Sequence, residues 1–90
     1  MPCYLVETYL TRGRTNERRA SERRARTAAA ELTQGSRLVR FDRAIHVPED
    51  EICFYVFDAP SADDAACAAR RAGLDPLRVV EAVSSGKEER

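Results

Sequence analysis

Alternation of apolar and polar positions divides the chain into strand-like and helix-like segments. From Cys3 to Leu10 the run CYLVETYL is rich in aromatic and β-branched residues and ends at the turn-prone Thr-Arg-Gly-Arg-Thr, which predicts a first strand. Further on, Ala25, Ala28, Ala29 and Leu32 fall at i, i+3, i+4 and i+7, the stripe of an amphipathic helix. Thr15 or Asn16 is placed to cap that helix, and Gly35 to end it in a left-handed conformation. A buried face made mostly of methyl groups predicts a helix lying close to its sheet. Between Arg37 and Val47, Val39, Phe41, Arg43 and Ile45 alternate with Leu38, Arg40, Asp42, Ala44 and His46. ICFYVFDA follows after Pro48-Glu49-Asp50-Glu51, so the two runs predict a hairpin. Ser61 opens a second helix with Asp64 as a short-armed capping box and Asp63 favourable to the dipole; Gly73 ends it. LRVVEAV, from Leu77 to Val83, predicts a last strand.

Strand, helix, strand, strand, helix, strand in 90 residues leaves few unknotted arrangements. The expected fold is α+β: a ferredoxin-like βαββαβ sandwich with a four-stranded antiparallel sheet and both helices on one face. Residues 1–83 form that single domain, and the polar stretch 84–90 is expected to be a disordered tail. Neither strand face is polar: Ile52, Phe54 and Val56 alternate with Cys53, Tyr55 and Phe57, and Cys3 and Leu5 with Tyr4, Val6 and Thr8. A sheet covered on one side should be polar on the other. Tyr4, Val6, Tyr55 and Phe57 are therefore assigned to an open face that a second copy covers, giving a homodimer.

Composition adds constraints. A domain this short buries only ~60–65% of the surface its unfolded chain exposes, which makes further burial against a partner valuable. The net charge of +0 argues against a general nucleic-acid-binding surface, but the charges are segregated. Seven arginines lie between Arg12 and Arg26 against Glu17 and Glu22, while Glu49 to Asp64 carries six acids and no base. No segment has the length and apolarity of a membrane span or the pattern of a signal peptide, and the three cysteines make a poor disulfide framework. The expected setting is the cytoplasm.

Three stretches, MPCYLVETYL, FYVFDAPSADDA and AARRAGLDPLRVVEAV, together resemble the small bacterial nickel-binding-protein-like family, a domain of unknown function. The resemblance implies a ferredoxin-like fold paired into a dimeric α+β barrel, nickel in some members and no established catalysis. The family pattern carries histidines on the second helix just before its terminal glycine; the matching positions here are Ala68 and Ala72. The tryptophan of the family's second strand is also absent, since the chain has no Trp.

Few residues offer chemistry. His46, the single histidine, is the candidate metal ligand, with Cys53 and Glu7 as neighbours in the sheet; a solvated or structural histidine is the plainer alternative. Glu7 lies among apolar residues and calls for a cationic partner, with Arg40, Arg43 and Arg78 available. With Tyr9 and Tyr55 it could instead line a ligand cavity. Cys53 and Cys67 read as small hydrophobes, although Arg70 and Arg71 near Cys67 keep a reactive thiol open. The favoured reading is a homodimeric accessory or ligand-binding protein. Two rivals stand beside it: a small dimeric-barrel enzyme with a cavity site, and an RNA-binding module using the arginine-rich first helix. Nucleic acid is disfavoured, because EICFYVF lacks the basic and glycine positions of an RNA-recognition strand and Glu22 can pair Arg18 and Arg26 on the helix.

Overall fold

A computed structural model describes residues 1–83. The strands are β1 (Cys3–Tyr9), β2 (Arg40–Val47), β3 (Ile52–Asp58) and β4 (Arg78–Ala82); the helices are α1 (Arg18–Gln34) and α2 (Ala62–Arg71). The strands form one antiparallel sheet in the order β2-β3-β1-β4. The β1–α1–β2 connection thus steps over β3, and β3–α2–β4 steps over β1. This is the ferredoxin-like α+β arrangement. The polar stretch 84–90 lies outside the described residues.

Register sorts the side chains into rows. One face carries Phe41, Phe57, Tyr4 and Glu81 in one row, Ala44, Tyr55, Val6 and Val79 in the next, then His46, Cys53 and Thr8. The other face carries Arg40, Asp58, Cys3 and Ala82; Arg43, Val56, Leu5 and Val80; Ile45, Phe54, Glu7 and Arg78; and Val47, Ile52 and Tyr9. The first face is the covered one. Tyr4, Val6, Phe41, Cys53, Tyr55 and Phe57 form one buried cluster with Ala25, Ala28, Ala29 and Leu32 of α1 and Ala65, Ala68 and Ala69 of α2.

The helices approach through alanine, so the aromatic bulk comes from the strands. Phe41 meets Phe57 edge-on at 5.4 Å between ring centroids, and the Arg26 guanidinium stacks 5.1 Å above Phe41. Phe57 and Val6 are wholly buried, each side chain contributing ~1.5–3 kcal/mol of transfer free energy.

Both helices end in Schellman turns, which satisfy the last carbonyls. In α2, Gly73 takes the left-handed position (φ 79°), with Leu74 N–H donating to Ala69 O at 2.9 Å. In α1 that position falls one residue later than the sequence suggested. Gly35 has φ −88° and Ser36 has φ 77°, with Arg37 N–H donating to Leu32 O at 2.8 Å. The start of α1 also differs from expectation. Thr15 and Asn16 belong to a kinked 3₁₀ segment, Arg12–Glu17, and no side chain caps α1. Ser61 does cap α2: its hydroxyl accepts from Asp64 N–H at 3.2 Å and donates to the Asp64 carboxylate at 3.0 Å.

Candidate functional site

Where β1 runs out, its last residues, the start of α1 and the loop from α2 to β4 enclose a cavity of ≈ 330 Å³. Its floor is Thr8, Ser21 and Tyr55, all buried, and Leu10, Leu74 and Leu77 supply apolar wall. Tyr9, Thr11, Arg14, Glu17, Arg24, Gly73 and Asp75 line the rest. Ser21 reaches the floor because it sits four residues before Ala25 on the stripe that α1 turns to the sheet. Gly73 and the turn after it bring Leu74 and Asp75 opposite. The lining mixes three leucines with charged and hydroxyl groups, a more polar wall than is usual for a small-ligand site.

Electrostatics sharpen this picture. Burial, more than any neighbour, pushes the Tyr55 phenol up to about 12, so it stays a neutral hydrogen-bonding group against Ser21 and Cys53. The Cys53 thiol is likewise raised, chiefly by burial, the opposite of what a thiolate nucleophile needs. Thr8 Oγ1 donates to Cys53 O at 2.8 Å. Arg24 is held in place from two sides: Nε donates to Ala72 O at 2.9 Å and Nη2 to Ser21 Oγ at 3.0 Å. Arg14 forms a two-pronged pair with Glu17, 2.9 Å on each prong, which with that charge draws the Glu17 carboxyl below its usual range. At the rim, Tyr9 Oη donates to Glu51 Oε1 at 3.1 Å, and Arg12 N–H donates to Glu51 Oε2 at 3.0 Å.

Of the residues expected to line a cavity together, Tyr9 and Tyr55 do and Glu7 does not. Glu7 belongs to the opposite face, where Arg78 Nε donates to it at 2.7 Å. The arginine partner was therefore foreseeable, the location not. The assignment of Tyr4, Val6, Tyr55 and Phe57 to an open face is corrected: none is more than 7% exposed, and all four lie beneath the helices. The open face holds the alternate set, Leu5, Phe54, Val56 and Val80 with Ile45, Ile52 and Val47. Both sets are apolar, so alternation alone could not say which one the helices cover.

His46 lies on the covered face at the outer strand, opposite Cys53, and its Nε2 is buried without a hydrogen-bond partner. Glu7 points away from it. Among the described residues no three His, Cys, Asp or Glu side chains are grouped to hold a metal. Ala68 and Ala72, at the positions where the resembled family carries histidines, are buried in the core and offer no ligand atom. The residues present do not fit a nickel centre of that pattern.

Tyr4 and Tyr55 face the helices too, so they offer no surface on which bases could stack. On α1, Arg18 pairs with Glu22 at 3.4 Å, whereas Arg26 covers Phe41 instead of pairing with Glu22. Cys67 meets Arg37, not Arg70 or Arg71: Arg37 Nη1 donates to its sulfur at 3.4 Å while holding Asp64 at 2.6 Å. Among the described residues no helix is long and apolar enough to cross a membrane.

No family model matches the sequence, and no curated protein matches it. The fold is similar to that of SCO4226 from Streptomyces coelicolor A3(2), known from a crystal structure. The TM-score is 0.71, with 14% identity over 91% of this chain and 98% of that one. At that identity the likeness speaks to the fold.

Proposed function

We propose that the chain is a cytoplasmic homodimeric accessory protein that binds a small ligand, a relative of the nickel-binding-protein-like family that does without the metal. The observation that carries the dimer is the open sheet face. Leu5, Phe54 and Val80, neighbours in its centre, are apolar and partly exposed around an already buried Val56, and among the described residues no helix lies over them. An apolar patch of this kind on a small domain favours association.

The border of the patch suits a second copy. Its cations are already paired within the chain: Arg78 with Glu7 at 2.7 Å, Arg40 with Asp58 at 3.0 Å and Arg43 with Asp42 at 2.6 Å. Two identical faces can thus meet with little like-charge repulsion, as a two-fold interface requires.

Sedimentation equilibrium at micromolar concentration is expected to give twice the chain mass, and Phe54→Arg to give a folded monomer. A wild-type monomer at those concentrations would overturn the dimer. Metal analysis of untagged protein separates off the nickel branch: stoichiometric nickel that disappears in His46→Ala would contradict the metal-free reading.

A further inference from the structure

The cavity floored by Tyr55 carries charges of both signs, and their state of pairing differs. Arg14 is committed to Glu17 through two hydrogen bonds. Arg24 adds its charge to the Glu17 carboxylate, but its hydrogen bonds go to neutral acceptors, Ala72 O and Ser21 Oγ, which fix its plane and leave the remaining N–H donors of a five-donor group. Asp75 lines the same cavity and takes part in none of the ion pairs of the described residues. Leu10, Leu74 and Leu77 add apolar wall beside them.

A ligand with a carboxylate alone would meet Arg24 but also Asp75 and Glu17. One with an ammonium alone would meet the acids but also the arginines. We infer that this cavity binds a small zwitterion of the α-amino-acid type, with its carboxylate on Arg24, its ammonium toward Asp75 and an apolar side chain against the leucines. The volume of ≈ 330 Å³ lies at the small end of the range for ligand sites. The neutral Tyr55 phenol and the Ser21 hydroxyl stand at the floor as further partners for the carboxylate. The site names the ligand class of the proposed binding protein, yet it lies on the helix side of the sheet and needs no second copy.

Nitrogen-15 amide spectra of the whole chain test it with three probes that share a side chain: L-leucine, 4-methylpentanoate and isopentylamine. Leucine is expected to move the amides of Ser21, Gly73, Leu74 and Asp75 saturably, and each truncated probe to bind about tenfold or more weakly, the loss of one charge-assisted contact. Asp75→Asn should weaken leucine about tenfold and leave 4-methylpentanoate no weaker. Arg24→Gln should weaken leucine and 4-methylpentanoate together. Should that variant lose its fold with the Ala72 contact, Asp75→Asn, on an exposed loop position, decides. No shifts with leucine up to about 10 mM, equal binding of leucine and 4-methylpentanoate, or indifference to Asp75→Asn would each overturn the inference. None of these readouts depends on whether the protein dimerises.

Discussion

The two faces of the sheet are built from similar apolar residues but held by different means. On the covered side, aromatic strand residues fill the space above which alanine lets α1 and α2 sit close, and the cluster is closed within one chain. On the open side, Leu5, Phe54 and Val80 remain partly exposed inside a border of paired charges. Hydrophobicity alone does not distinguish a covered face from an open one. The covering element does, together with whether the bordering charges are already satisfied.

The largest expected effect tests the covered side. Phe57→Ala should cost about 3–5 kcal/mol in urea unfolding, at every protein concentration. A loss below ~1 kcal/mol would break the claim that Phe57 lies in a tightly packed interior. Phe54→Ala should instead lower stability in a concentration-dependent way, since part of its burial would come from the second chain. Equal, concentration-independent losses for the two would erase the distinction between the faces.

Ala68→Leu sharpens the point about close approach. Ala68 is wholly buried, so the added atoms should cost about 1–3 kcal/mol, read as a lowered melting temperature, while the same exchange at exposed Ala30 should be nearly neutral. Ser61→Ala removes the cap of α2 and should cost about 1 kcal/mol.

The smallest effect is electrostatic. Hydrogen bonds from Arg37, then Ser61, hold the Asp64 carboxyl below its usual range. A lowered folded-state value means stabilisation that is fully present above the unfolded value of about 4 and lost as pH falls through the folded one. Arg37→Gln should therefore reduce stability near neutral pH slightly and flatten the acid-side decline below about pH 4, as urea midpoints across that window would record. An unchanged acid limb would mean that Arg37 is not what holds Asp64.

Much of the fold could be read from the alternation, because strand and helix periods are local. The residues Cys3 to Leu10, the Ser61 cap and Gly73 at the end of α2 all act through near neighbours. What failed depended on longer range. Simple alternation puts Phe41 with Arg43 and Ile45, but a bulge between Phe41 and Arg43 turns Ala44 and His46 to the covered side and Arg43 and Ile45 outward. The cavity was half legible. Tyr9 and Tyr55 stand out in the sequence as cavity candidates, and Ser21, the polar member of an alanine stripe, is a signal within reach. Arg24 and Asp75 do not stand out, since only the α1–α2 contact brings a surface arginine to a loop fifty residues away.

Among the described residues, eight of the sixteen in the buried cluster are alanine, and this shapes how the sequence can change over time. An alanine in a tight helix–sheet contact has almost nowhere to go: glycine loosens the helix, and every other residue is larger. Drift is thereby pushed onto outward positions of α1 such as the exposed Arg19 and Arg23, away from the alanine contact. Among descendants of a common ancestor, the inner stripe should stay fixed while the outer helix surface diverges, so that relatives keep the shape long after the lettering has ceased to agree.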